Sequence, residues 1–76
     1  MADLVTIYVH LPDEAVDCWR PVQAVPQGAD LFRIVSVNHD PDESWAFPSG
    51  QLVRCEAKRL SEGTVLVAVQ AVEDRV

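Results

Sequence analysis

A chain of 76 residues with 12 acidic and 6 basic side chains carries a formal net charge of -6. Such a charge repels nucleic-acid phosphates and anionic membrane surfaces, which disfavours direct binding to either. A hydrophobic content of 49% lies far from the composition of disordered chains, so one small domain spanning residues 1–76 is expected.

Met1-Ala2-Asp3 has neither the basic nor the long apolar region of a signal peptide, and no apolar run reaches the roughly 18 residues of a membrane span. The default location is therefore the cytoplasm, where Cys18 and Cys55 are read as thiols and as small core residues.

From Leu4 to Leu11 the apolar set Val5, Ile7, Val9 and Leu11 alternates with a mixed one, the pattern of a half-buried first strand ended by Pro12-Asp13-Glu14. A second strand runs through Val16, Cys18, Val22 and Ala24. Arg20 then falls on the inward set and Pro21 cannot donate a ladder hydrogen bond, so a bulge is predicted at Trp19-Arg20-Pro21. Pro26 to Asp30 reads as a turn. The third strand, Leu31 to Val37, carries Phe32 and Ile34 on one face and Leu31, Val35 and Val37 on the other, and so reads as covered on both sides.

Asn38 to Ser44 has three carboxylates, a proline and no apolar period, the composition of a surface loop. Trp45 to Phe47 is long enough for a single pairing segment, and Pro48-Ser49-Gly50 turns into a strand over Leu52 to Ala57 with Val53, Cys55 and Ala57 inward. Ser61-Glu62-Gly63 makes a hairpin turn into Thr64 to Val72. That last strand is apolar on both faces, with Val65, Val67, Val69 and Ala71 on one and Leu66, Ala68 and Val72 on the other. One face enters the core, and the other requires separate cover, which a homodimer would supply and which the N-terminal strand or a long loop folded over that face would supply as well. No helical period is visible; five or six short antiparallel strands imply a small all-β barrel.

The combination Asp17-x-Trp19-Arg20-Pro21-Val22 and Trp45-x-Phe47-Pro48-x-Gly50-x-x-Val53-x-Cys55-Glu56 resembles a group of short bacterial proteins without an assigned activity. The resemblance runs roughly from the first strand to the last. It implies a compact SH3-like barrel and brings no catalytic residues with it.

Trp19 and Trp45 are the first candidates for partner recognition, because tryptophan is enriched at binding hot spots. Each is also explained as a cap on a core too small to manage without large side chains. Arg20 reads as an ion-pair partner of Asp17 or of an acidic loop residue. Asp40, Asp42 and Glu43, with His39, have the oxygen-rich composition of a divalent-metal loop but neither the loop glycine nor the terminal bidentate glutamate of a helix-loop-helix calcium site, so a solvated loop is the simpler account. A thiolate-imidazole pair would have to join Cys18 or Cys55 to His10 or His39, yet both cysteines occupy apolar-alternating strand positions. No residue set calls for a cofactor or a metal.

Two functions of different kinds follow. One is a small non-catalytic protein-binding module that engages its partner through Trp45, Phe47, Trp19, Arg20, Asp40, Asp42 and Glu43, together with a sheet edge. The other is an acidic inhibitor or immunity-type protein that masks a basic site by charge complementarity. An enzyme has the least support, since no set of titratable groups converges.

Overall fold

The computed structural model describes residues 3–12, 18–39, 42–61 and 63–73. Sequence expectations that fall on Asp13 to Asp17, Asp40, Pro41, Glu62 and Arg75 lie outside these. Five strands form, β1 (Val5–His10), β2 (Trp19–Gly28), β3 (Leu31–Ile34), β4 (Leu52–Leu60) and β5 (Gly63–Ala71), and they close into a barrel in chain order. The small all-β barrel read from the sequence is thus the architecture, with five strands.

An odd number of strands fixes how such a barrel must close. Each successive pair from β1 to β5 is antiparallel, so β1 and β5 run in the same direction, and the seam between them is parallel, registered at Tyr8 and Val67. Parallel pairing cannot be made by a hairpin. The rest of the ladder, from the β1–β2 register of Val5 with Ala24 to the β4–β5 hairpin at Leu60 and Gly63, holds the seam in place.

The period-two pattern sends Ile7, Val9, Val22, Ala24, Phe32, Ile34, Val53, Cys55 and Ala68 into one core, against which Val5, Trp45, Phe47 and Leu66 pack. Among the described residues the core holds no buried polar or charged side chain. Burial of apolar area therefore supplies the drive to close the barrel, at about 25 cal/mol per Å².

Several sequence expectations need correction. No bulge occurs at Trp19-Arg20-Pro21, where the β1–β2 register runs unbroken from Ala24 to Trp19. Arg20 keeps its inward parity but stands where the barrel ends, and is exposed. Pro21 is tolerated for a related reason. The Gln23 N–H donates to Ser36 Oγ at 2.8 Å and its carbonyl accepts from Val35 N–H at 2.9 Å, so both face away from β1. By two-residue alternation the Pro21 nitrogen faces that same flank, beyond the reach of β3, whose pairing with β2 covers only Ala24 to Gly28.

The bulges occur instead at Gln27, skipped between Pro26 and Gly28 opposite β3, and at Val69, skipped between Ala68 and Gln70 opposite β4. The second one ends the two-faced reading of the last strand. Leu66 and Ala68 face inward, Val67 is closed over at the seam, and the bulge leaves Val69 40% exposed. Two further differences come from the ends of strands. β3 stops at Ile34, so Val35 and Val37 are uncovered at 42% and 58% exposure, and β4 runs on past the core, leaving Ala57 exposed. The segment from Trp45 to Phe47 is not a strand; it is tied to β1 by the Ala46 N–H donating to the His10 carbonyl at 2.9 Å.

The β2–β3 turn carries a local strain. Gly28 adopts φ 112°, which suits glycine, but Ala29 follows at φ 48°, in the left-handed region that costs an L-residue about 1–2 kcal/mol. Ala29→Gly is expected to raise stability by up to about 1 kcal/mol, seen as a higher urea midpoint at unchanged slope.

Candidate functional site

Beyond Ile34 the chain leaves the sheet and arches over one end of the barrel before it returns at β4. Beside the bonds of Val35 and Ser36 Oγ to Gln23, further contacts fix this arch to β2 and to itself. Ser36 N–H donates to the Gln23 carbonyl at 3.4 Å, Asn38 Nδ2 donates to the Glu43 carbonyl at 2.6 Å, and the Arg20 guanidinium grips the Glu43 carboxylate.

The last of these is bidentate. Arg20 Nε donates to Glu43 Oε1 at 2.8 Å and Arg20 Nη2 to Oε2 at 2.5 Å, the fork geometry that makes arginine-carboxylate pairs directional. Glu43 Oε1 also accepts from the Trp45 indole Nε1 at 2.7 Å. One carboxylate, its side chain only 13% exposed, therefore holds both the arginine of β2 and the indole of the arch. Trp45 packs its ring against the core from above, and its orientation about that contact is set by Glu43.

The Arg20 hydrogen bonds, then the Trp45 indole, hold the Glu43 carboxyl down from 4.5 to about 2. Because the folded value lies below the unfolded one, the stabilisation this carboxylate gives is complete above about pH 4.5 and is lost as the pH falls through about 2. Wild-type protein should therefore lose stability across that interval more steeply than Glu43→Gln, compared by urea denaturation at each pH. Parallel curves for the two proteins would detach Glu43 from the arch.

The arch leaves two shallow grooves on either side of Trp45. One, of about 290 Å³, is lined by Arg20, Pro21 and Val22 along one wall and by Ser36, Val37, Asn38 and His39 along the other, with Glu43 and Trp45 at its end. It follows the stretch of β2 that β3 does not reach. The second, also about 290 Å³, lies between Val37, Asn38, Trp45, Pro48 and Ser49. Val37 and Trp45 border both.

The seven candidate residues thus separate into two groups. Arg20, Glu43 and Trp45 form one connected unit, and Asp42 is exposed beside it on the arch. Trp19 and Phe47 line a different groove, shared with His10, Ala46, Lys58, Ala68 and Val69. Asp40 lies outside the described residues. The metal-loop reading loses Glu43, both of whose carboxylate oxygens are bound by Arg20 and one by Trp45 as well.

Val37 and Asn38 were not singled out by sequence reasoning. Alternation places Val37 on a covered strand, whereas β3 ends at Ile34 and leaves it exposed. Of the thiols, Cys55 is buried in the core, and desolvation, then the nearby Asp30 carboxylate, push it up to about 11, so it is a neutral thiol at physiological pH. On β4 the Arg54 guanidinium donates to Glu56 at 2.7 Å and to Gln70 at 3.2 Å; Glu56, with Asp30 behind it, raises its pKa further.

No protein-family model matches the chain, nor does any curated protein or solved structure at a significant level.

Proposed function

We propose that the barrel is a small non-catalytic protein-binding module of the cytoplasm, and that its recognition surface is the rim formed by Trp45 and Val37. One observation carries the reading. A half-buried indole, fixed by an ion-paired carboxylate, stands between two grooves and beside an exposed valine. A rigid aromatic anchor with an aliphatic neighbour is the kind of surface on which binding energy concentrates, because little side-chain freedom remains to be lost on association.

Strand addition along the open flank of β2 fits less well, since Pro21 offers that flank no N–H. The partner is instead gripped through side chains. Engagement of Glu43 by Arg20 and Trp45 likewise favours recognition by aromatic and aliphatic contact over an acidic inhibitor that masks a basic site by charge.

The test uses Val37→Asp, which charges the rim without touching the core, and Thr64→Asp, which adds the same charge at an exposed position of β5. Protein immobilised from each should capture the same partners as wild type for Thr64→Asp and lose them about tenfold or more for Val37→Asp. Equal capture by both variants would remove the rim from the interface. The complex should also survive added salt, whereas an inhibitor steered by charge would lose association rate steeply.

A further inference from the structure

The groove that contains Trp19 and Phe47 shares no lining residue with the two that flank Trp45. Its volume, about 380 Å³, lies at the lower end of the roughly 300 to 1,000 Å³ of ligand sites. Five parts of the chain build it. His10 ends β1 and Trp19 begins β2, their rings 5.2 Å apart and tilted by 57°; Ala46 and Phe47 come from the arch; Lys58 comes from β4 and Val69 from β5.

Three features distinguish this groove from ordinary surface. Three aromatic rings, those of His10, Trp19 and Phe47, all half-buried, line it. The β5 bulge turns Val69 out into it, and bulges are a common means of re-aiming a side chain toward a site. The third feature is electrostatic. On a protein of net charge -6, the described residues lining this groove include a lysine and a histidine and no carboxylate. The Lys58 ammonium lies 5.0 Å from the centroid of the Trp19 ring, held over its face by cation-π attraction, and no carboxylate among the described residues pairs with it.

We propose that this groove is a second binding site, taking an acidic peptide segment that presents an aromatic or large aliphatic side chain beside a carboxylate. The side chain lies between Trp19, Phe47 and Val69. The carboxylate meets Lys58, whose position over Trp19 places the charge at the edge of the apolar slot. The site is independent of the Trp45 rim and selects a ligand of the opposite character to the one that a strongly acidic protein attracts over the rest of its surface.

The experiment is a titration of the isotope-labelled full chain, read by backbone amide and indole N–H shifts. The probes are the N-acetylated, C-amidated tripeptide Glu-Phe-Glu and its Gln-Phe-Gln and Lys-Phe-Lys counterparts. Glu-Phe-Glu should move the signals of Trp19, Phe47 and Val69 and leave Val37 and Trp45 in place, while Lys-Phe-Lys should move none of them.

Lys58→Glu and Lys58→Met, both at an exposed position, should keep a dispersed spectrum and weaken Glu-Phe-Glu about fivefold or more. Val37→Asp should bind the peptide as wild type does, which separates this site from the rim. The proposal is overturned if Glu-Phe-Glu leaves the groove signals unmoved, if Gln-Phe-Gln binds equally well, or if both Lys58 variants bind undiminished.

Discussion

Replacing Ile34 by alanine is expected to lower the unfolding free energy by about 2–5 kcal/mol, the range for removing a large aliphatic side chain from a packed interior. Ile34 is fully buried at the end of β3, in the core with Ile7, Val22 and Val53. At about 0.05–0.15 kcal/mol per residue, a 76-residue domain has a total stability of only about 4–11 kcal/mol, so this one change removes a large share of it. The neighbouring Val35→Ala is the control, because Val35 lies outside the core and its truncation should stay within about 0.5 kcal/mol. Urea denaturation followed by tryptophan fluorescence measures both. Equal losses would mean that β3 does not present alternate faces to core and solvent.

Trp45→Ala should cost about 2 kcal/mol or more, less than a fully buried tryptophan because one part of the ring faces solvent. Two losses combine in it. The ring leaves its place against the core, and the Glu43 carboxylate loses the indole donor. Trp45→Phe retains the packing and removes only the donor, so it should keep most of the stability while the Glu43 carboxyl rises from about 2 toward its usual range. A Trp45→Ala protein as stable as wild type would show that the indole merely rests on the surface. Since the ring contributes to the fold, substitutions of Trp45 mix folding with binding, and Val37 is the cleaner position at which to probe the rim.

Most of the barrel can be read from the period-two spacing. Ile7 and Val9, Phe32 and Ile34, and Val53 and Cys55 each alternate as residues of a one-sided sheet must, and each pair is buried. What alternation could not locate were the places where a strand outruns the core. Arg20, Val37 and Ala57 all follow the local pattern, yet their exposure is decided by where the neighbouring strand ends, a long-range property. The bulges escaped for a similar reason. The proline points to residues 19–21, but its missing N–H faces an open flank and needs no bulge; the shift at Val69 leaves no mark in the local sequence.

The site was legible in composition and not in connection. Trp45, Arg20 and Glu43 were each singled out, but the pairing across 23 positions that ties Arg20 to Glu43 depends on the arch folding back over β2. Phe47 and Trp19 belong to another groove because the bend after Trp45 and the Ala46 N–H bond to the His10 carbonyl bring Ala46 and Phe47 beside the end of β1 and the start of β2, a placement that strand alternation does not describe. Lys58 had no sequence signal beyond its charge; its role follows from its place over the Trp19 ring.

The most direct test of the rim is residue-specific photo-crosslinking in source cells, with p-benzoylphenylalanine placed at Val37 and, in a separate protein, at Thr64. A heterologous protein partner joined at Val37 and absent at Thr64 is the expected result. The same adducts at both positions, or adducts only between copies of the chain, would contradict the account.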